Sequence, residues 1–226
     1  MRKISFANGE YYHIYNRGVD KRRIFSDKKD YQRFLLSIDL LNDNKDGLME
    51  NWRNLIKVNP KARLSERVSE RVLKIAGKRK PLVEFVAYCI NPNHYHFILK
   101  QVTEKGIERF MHKLGTSYTK YFNKKNKRSG VLFQGKFKAT HIDSNEYLLY
   151  LSAYVNNNYF IHGYSQKDRE YSSREEYKTK NKKGFCNKQP ILSQFGKKIG
   201  DYGDFMKKNS LYMRKKKELE KYLIEE

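Results

Sequence analysis

Residues 81–102, PLVEFVAYCINPNHYHFILKQV, restrict this chain more than any other stretch. An apolar run rich in β-branched and aromatic residues meets an Asn-Pro-Asn turn, and a second such run follows. Two short apolar runs joined by a tight turn read as a β-hairpin buried in a sheet. Successive side chains of a strand point to opposite faces. His94, His96 and Ile98 therefore share one face, and Tyr95, Phe97 and Leu99 can fill a core on the other. Neutral imidazole is a good ligand for divalent cations, so the histidine pair is half of a metal site. It can equally be two half-buried histidines bonded to their neighbours. Mg²⁺ or Mn²⁺ would also need oxygen ligands, which must come from elsewhere in the chain.

The flanking sequence supplies helices and more strands. EYYHIYNRG (10–18) is strand-like and ends on a glycine turn. Residues 26–41 place Tyr31, Phe34, Leu35, Ile38 and Leu41 at helical spacing behind a Ser26 or Asp27 cap. Residues 42–80 begin polar and then give a stripe of Leu64, Val68, Val72 and Ile75, an inserted helical segment ending at Gly77. Residues 107–122 form a helix and 130–142 are strand-like with glycine breaks. Residues 143–158 form another helix, with Asp143 at its cap. Residues 165–188 read as a mobile polar loop, and 211–226 as a charged helix. The irregular alternation predicts α+β architecture, an antiparallel sheet with helices on its faces.

Charge narrows the partner. Lys and Arg number 48 against 25 Asp and Glu, a net charge of +23. A surplus of that size repels itself unless a polyanion shares the surface, so nucleic acid is the first candidate and a membrane surface the second. Arg17, Lys21, Arg22 and Arg23 follow the first strand; Lys120, Lys124, Lys125 and Arg128 close the helix at 107–122; Lys136 and Lys138 lie just beyond. Such residues suit phosphates. The lysine runs at 178–183 and 214–217 read as solvated surface. No apolar stretch is long enough to cross a bilayer and no signal-peptide core is visible. The cysteines, Cys89 and Cys186, have no CxxC spacing, which predicts neither a zinc site nor a disulfide and fits a reducing cytoplasm.

The helix at 143–158 carries Tyr147, Tyr150, Tyr154 and Asn158 along one side. The Asn158 amide could reach a metal while a tyrosine attacks a metal-polarised phosphodiester. Spacing does not choose between Tyr150 and Tyr154. Tyr147 and Tyr150 are expected to pack in a core.

The stretches YYHIYNRGVDKRRIF, YCINPNHYHFILKQ, YFNKKNKRSGVLFQGKFKATHIDSNEYLLYLSAYVNNN and SSREEY occur in one order. In that order they resemble the single-tyrosine HUH transposases, most of all the branch associated with repetitive extragenic palindromes. The resemblance runs from about residue 4 to residue 178, interrupted at 42–80. It implies a ferredoxin-like sheet and an enzyme that cuts and rejoins single-stranded DNA at hairpins through a 5′-phosphotyrosine. It implies that Tyr154 is the nucleophile and that His94, His96 and Asn158 hold Mg²⁺ or Mn²⁺. It also implies a catalytic domain over 1–160, a basic extension over 161–226, and action as a monomer or a homodimer. The chain departs from the family pattern at Ala153, Asn156 and Tyr159, around the nucleophile. Two other readings are a non-cleaving binder of palindromic DNA or RNA and a replication-initiator nicking enzyme.

Overall fold

The computed structural model describes residues 4–58, 77–165, 170–178, 184–196 and 199–222. Strands β1 (Tyr11–Arg17), β2 (Val83–Asn91), β3 (His94–Gln101) and β4 (Lys138–Ile142) form one antiparallel sheet in the order β2-β3-β1-β4. Helices α1 (Lys28–Leu41), α2 (Leu48–Val58), α3 (Gly106–Lys125) and α4 (Asn145–Asn156) connect or follow them. Strand, helix, hairpin, helix, strand is the split βαβ arrangement, and the α+β architecture expected from the sequence is borne out.

The hairpin is as the sequence predicts. Asn91 pairs with His94 across a two-residue Pro92–Asn93 turn. A register shift between Phe85 and Ala87 lets β2 bury neighbours on both faces. On one face Tyr12, Ile14, Phe85, Tyr95, Phe97 and Leu99 pack with Phe34, Phe110, Leu114 and Tyr118 from α1 and α3. On the other, Val86, Ala87, Cys89 and Ile98 pack against Leu148, Leu151 and Val155 of α4.

Local chemistry sets the ends. Asp27 caps α1 by accepting from the Asp30 amide at 3.0 Å. Helix α4 is capped by Ser144, which accepts from the Tyr147 amide at 3.2 Å, so the expected Asp143 cap is corrected by one residue. Gly18 ends β1 where a Cβ would lie 2.5 Å from the Arg22 carbonyl oxygen, a turn that only glycine fits.

Two segments differ from expectation. Helix α2 forms where the sequence reads as polar, because Leu48, Met49 and Trp52 bury against Leu40 of α1. The Asn42 side chain bonds the backbone of Leu82 and Val83, so the excursion leaves and returns at one point. The predicted stripe at 64–75 lies outside the described residues. Within the expected mobile loop, residues 170–178 pack: Ser173 bonds the Tyr88 backbone at the edge of β2, and Tyr177 is buried. Beyond a short helix α5 (Asn158–Ile161), α6 (Arg174–Tyr177) and α7 (Gln189–Leu192), helix α8 runs over Ile199–Tyr222. It is longer than the sequence suggested, and it lies along α4 and α5. No helix among the described residues is long and apolar enough to cross a membrane.

Candidate active site

The site lies where β3 and the end of β2 meet the α4–α5 junction. Residue alternation puts His94 and His96 on the face that α4 covers, and their ring centroids are 5.2 Å apart at 90°. Asn158, the first residue of α5, is fully buried, and its Oδ1 lies 3.1 Å from His94 Nε2. Tyr154, four residues earlier, presents its ring edge-on to His96 at 5.5 Å and to His13 at 6.3 Å. The four residues singled out from sequence therefore converge. Tyr150 does not join them: it is 40% exposed, which also corrects its expected place in a core. Tyr147 of α4 packs partly buried against the core between α4 and the sheet, as expected.

The neighbours fix the imidazoles. The Asn93 side-chain amide donates to the Lys21 carbonyl at 3.1 Å, so its oxygen faces His94. That oxygen lies 2.6 Å from His94 Nδ1 and also accepts from the Tyr164 hydroxyl at 2.9 Å. Nδ1 of His94 must then carry the proton, and Nε2 presents a lone pair. Asn91 Nδ2 lies 2.9 Å from that nitrogen and donates to Asn158 Oδ1 at 2.6 Å. Two lone-pair atoms so held, His94 Nε2 and Asn158 Oδ1 3.1 Å apart, are the donor chemistry of a cation site. His13 Nε2 meets His96 Nδ1 at 2.8 Å, which leaves the Nε2 edge of His96 as its coordinating edge. The residues present thus fit a divalent cation through two imidazoles and an amide oxygen.

Burial keeps these groups neutral. Desolvation lowers His94 to about 4, with Lys217 and Arg17 adding repulsion against a partial offset from Asn158. His13 is likewise lowered to about 4 by burial. His96 falls well below the usual histidine range through desolvation and the neighbouring His13, His94 and His162. Tyr154 is raised above the usual tyrosine value by burial, offset by a hydrogen bond with Asn158.

The basic candidates separate into two groups. Arg17 pairs with His94 across the strands at the mouth of the site. Lys21, Arg23, Lys120, Lys124, Lys136 and Lys138 are exposed. Lys120 and Lys136 flank a groove of about 770 Å³ floored by Tyr95, Phe133 and Phe137. The others are held by the fold. Lys125 pairs with Asp27 at 2.9 Å and with buried Asp30 at 2.6 Å. Arg128 bonds Asn123 and the Val131 carbonyl, and Arg22 pairs with Asp20 at 3.3 Å. Of the aromatic side chains near them, Tyr118 is core, its hydroxyl donating to the Ile24 carbonyl at 2.6 Å.

Sequence reasoning did not single out His13, Asn91, Asn93, His162 or Lys217. The signal for His13 was the strand period, which puts it on the same face as Tyr11 and Tyr15. Lys217 belongs to the run read as solvated surface, yet its ammonium contacts His162 and Arg214 sits 4.8 Å over the Phe160 ring.

Residues 53–158 match the model of the family described as transposase IS200 like. That match bears out the family resemblance carried by the motifs. It ends on Asn158 and does not extend over α8. A solved structure described as "Structure of the REP associates tyrosine transposase bound to a REP hairpin" is similar at 11% identity, with a TM-score of 0.49. The likeness covers 83% of this chain and 90% of that one. No curated protein matches.

Proposed function

We propose that this chain, whose residues 53–158 match the IS200-like transposase family, cleaves and rejoins single-stranded DNA beside hairpins through a phosphotyrosine at Tyr154. The observation that carries the reading is the convergence of Tyr154 with His94, His96 and Asn158 on one face of the sheet. The hairpin substrate is what the sequence resemblance implies. Attack by the Tyr154 oxygen forms an O–P bond as the P–O3′ bond breaks. The phenol proton is lost and the 3′ oxygen gains one. No nucleotide cofactor is needed, since the new phosphodiester keeps the energy of the old one.

His94, His96 and Asn158 would hold Mg²⁺ or Mn²⁺, which supplies charge neutralisation at the phosphate oxygens. The residues do the positioning. Asn91 and Asn93 fix the His94 ring, His13 fixes His96, and the turn at Asn157 between α4 and α5 sets Tyr154 and Asn158 on one side. Arg17 at the mouth and the exposed Lys21, Arg23, Lys120, Lys124, Lys136 and Lys138 suit the DNA backbone. Tyr150, turned to solvent, argues against a two-tyrosine initiator.

The test is a denaturing gel of the full chain with a hairpin-bearing oligonucleotide and Mn²⁺. The wild-type chain should give a covalent protein–DNA band. Tyr154→Phe should lose it while binding the oligonucleotide with unchanged Kd. A band that persists in Tyr154→Phe refutes the assignment, and hairpin binding without any band favours a non-cleaving binder.

A further inference from the structure

Helix α8 buries Tyr202, Met206, Ser210 and Met213 at spacings of four, four and three residues. That stripe continues to Lys217, one turn on. Buried hydrogen bonds anchor the helix: the Tyr202 hydroxyl donates to Ser152 and accepts from Asn156, each at 2.9 Å. Both partners are on α4, flanking Tyr154. The stripe delivers the Lys217 ammonium to Nδ1 of His162, and Nε2 of His162 lies 3.4 Å from the Tyr154 hydroxyl oxygen.

An ammonium can only donate, so Nδ1 of His162 must accept. The proton of the neutral imidazole is then on Nε2, aimed at the phenol oxygen. The geometry points to His162 as a catalytic hydrogen-bond donor to the Tyr154 oxygen, with Lys217 of the C-terminal helix as the residue that holds its tautomer. This rests on Tyr154 being the nucleophile. His162 transfers no proton in this role. During cleavage the phenol loses its proton while the O–P bond forms. During rejoining the 3′ hydroxyl attacks phosphorus and gives up its proton to solvent, the P–O bond to Tyr154 breaks, and the departing phenolate carries the charge. A donor fixed at that oxygen stabilises charge that develops in both directions. Both residues lie beyond the segment that matches the family model, so the C-terminal helix completes the site.

Single-turnover adduct formation and rejoining, measured with full chain, hairpin oligonucleotide and Mn²⁺, test the role. His162→Phe should slow both steps roughly tenfold to a hundredfold, with oligonucleotide Kd unchanged. His162→Gln, whose amide nitrogen sits near the lost Nε2–H, should recover much of the rate. Lys217→Met should cause a smaller loss that Lys217→Arg restores. Nitrogen shifts of histidine-labelled protein read the tautomer directly, without DNA, and should show His162 protonated on Nε2. Wild-type rates in His162→Phe, a His162→Gln variant as slow as His162→Phe, or a proton on Nδ1 would each overturn the inference. An absent adduct in the wild-type chain, with the Nε2–H signature present, would instead overturn the function proposed above.

Discussion

The two faces of β1 and β3 are built from alternating residues of the same strands, yet they do opposite things. One face, with Tyr12, Ile14, Tyr95, Phe97 and Leu99, is hydrophobic core against α1 and α3. The other, with His13, Tyr15, His94 and His96, stacks imidazole and phenol rings beneath α4. The first face contributes stability through apolar burial, which needs no direction. The second holds imidazoles largely out of water, which is tolerable because each of them is hydrogen-bonded. A strand's twofold period thus lets one segment anchor the fold on one face and gather the candidate site residues on the other.

Substitutions on facing sides should separate those roles. Phe97→Ala opens a cavity in the core and should cost about 3–5 kcal/mol in denaturant unfolding. His96→Leu replaces a desolvated imidazole and should leave stability within about 1.5 kcal/mol of wild type, while abolishing Mn²⁺ binding in titration calorimetry. Equal losses of stability from the two would end the contrast. Between these extremes, Lys125→Ala removes the partner of buried Asp30 and should cost about 1–3 kcal/mol. Its effect on DNA affinity should be slight.

Mild acid should act on the second face first. Burial lowers His13 and His94 from 6.5 to about 4 in the folded chain, and holds His96 well below its ordinary value. The unfolded chain therefore binds more protons between about pH 6.5 and 4. Stability is full above that window and falls as pH drops through it, by up to about 1.4 kcal/mol per pH unit per histidine. His13→Phe should flatten the slope by one proton, measured by unfolding at successive pH values. The smallest effects belong to exposed cations: Lys136→Ala should weaken single-strand binding slightly and reduce the salt slope by roughly 0.7.

The hairpin, the α1 and α3 helices and the His94–His96 pair were legible because each rests on a short-range period or turn signal, whereas spacing leaves Tyr150 and Tyr154 equal and only the family resemblance points to Tyr154. The rest depended on tertiary contacts. Helix α2 follows a polar stretch, and the burial of Leu48, Met49 and Trp52 against α1, with Leu55 and Ile56 packed beside them, decides it. Lysine run 214–217 looks solvated in one dimension, and only the docking stripe of α8 turns Lys217 inward. The departures from the family pattern at Asn156 and Tyr159 acquire a reason in the same way. Asn156 accepts from Ser173 and donates to Tyr202, and Tyr159 accepts from Arg174, so the two tie α4 and α5 to the C-terminal segment.

The claim on which the account turns is that one face of the sheet gathers a cation and a nucleophile. Anomalous scattering from a crystal of the full chain grown with Mn²⁺ reads it directly. The account predicts a single strong peak within bonding distance of His94 Nε2, His96 Nε2 and Asn158 Oδ1, beside the Tyr154 hydroxyl. A peak held by other side chains, with these three left hydrogen-bonded only to one another, would contradict it.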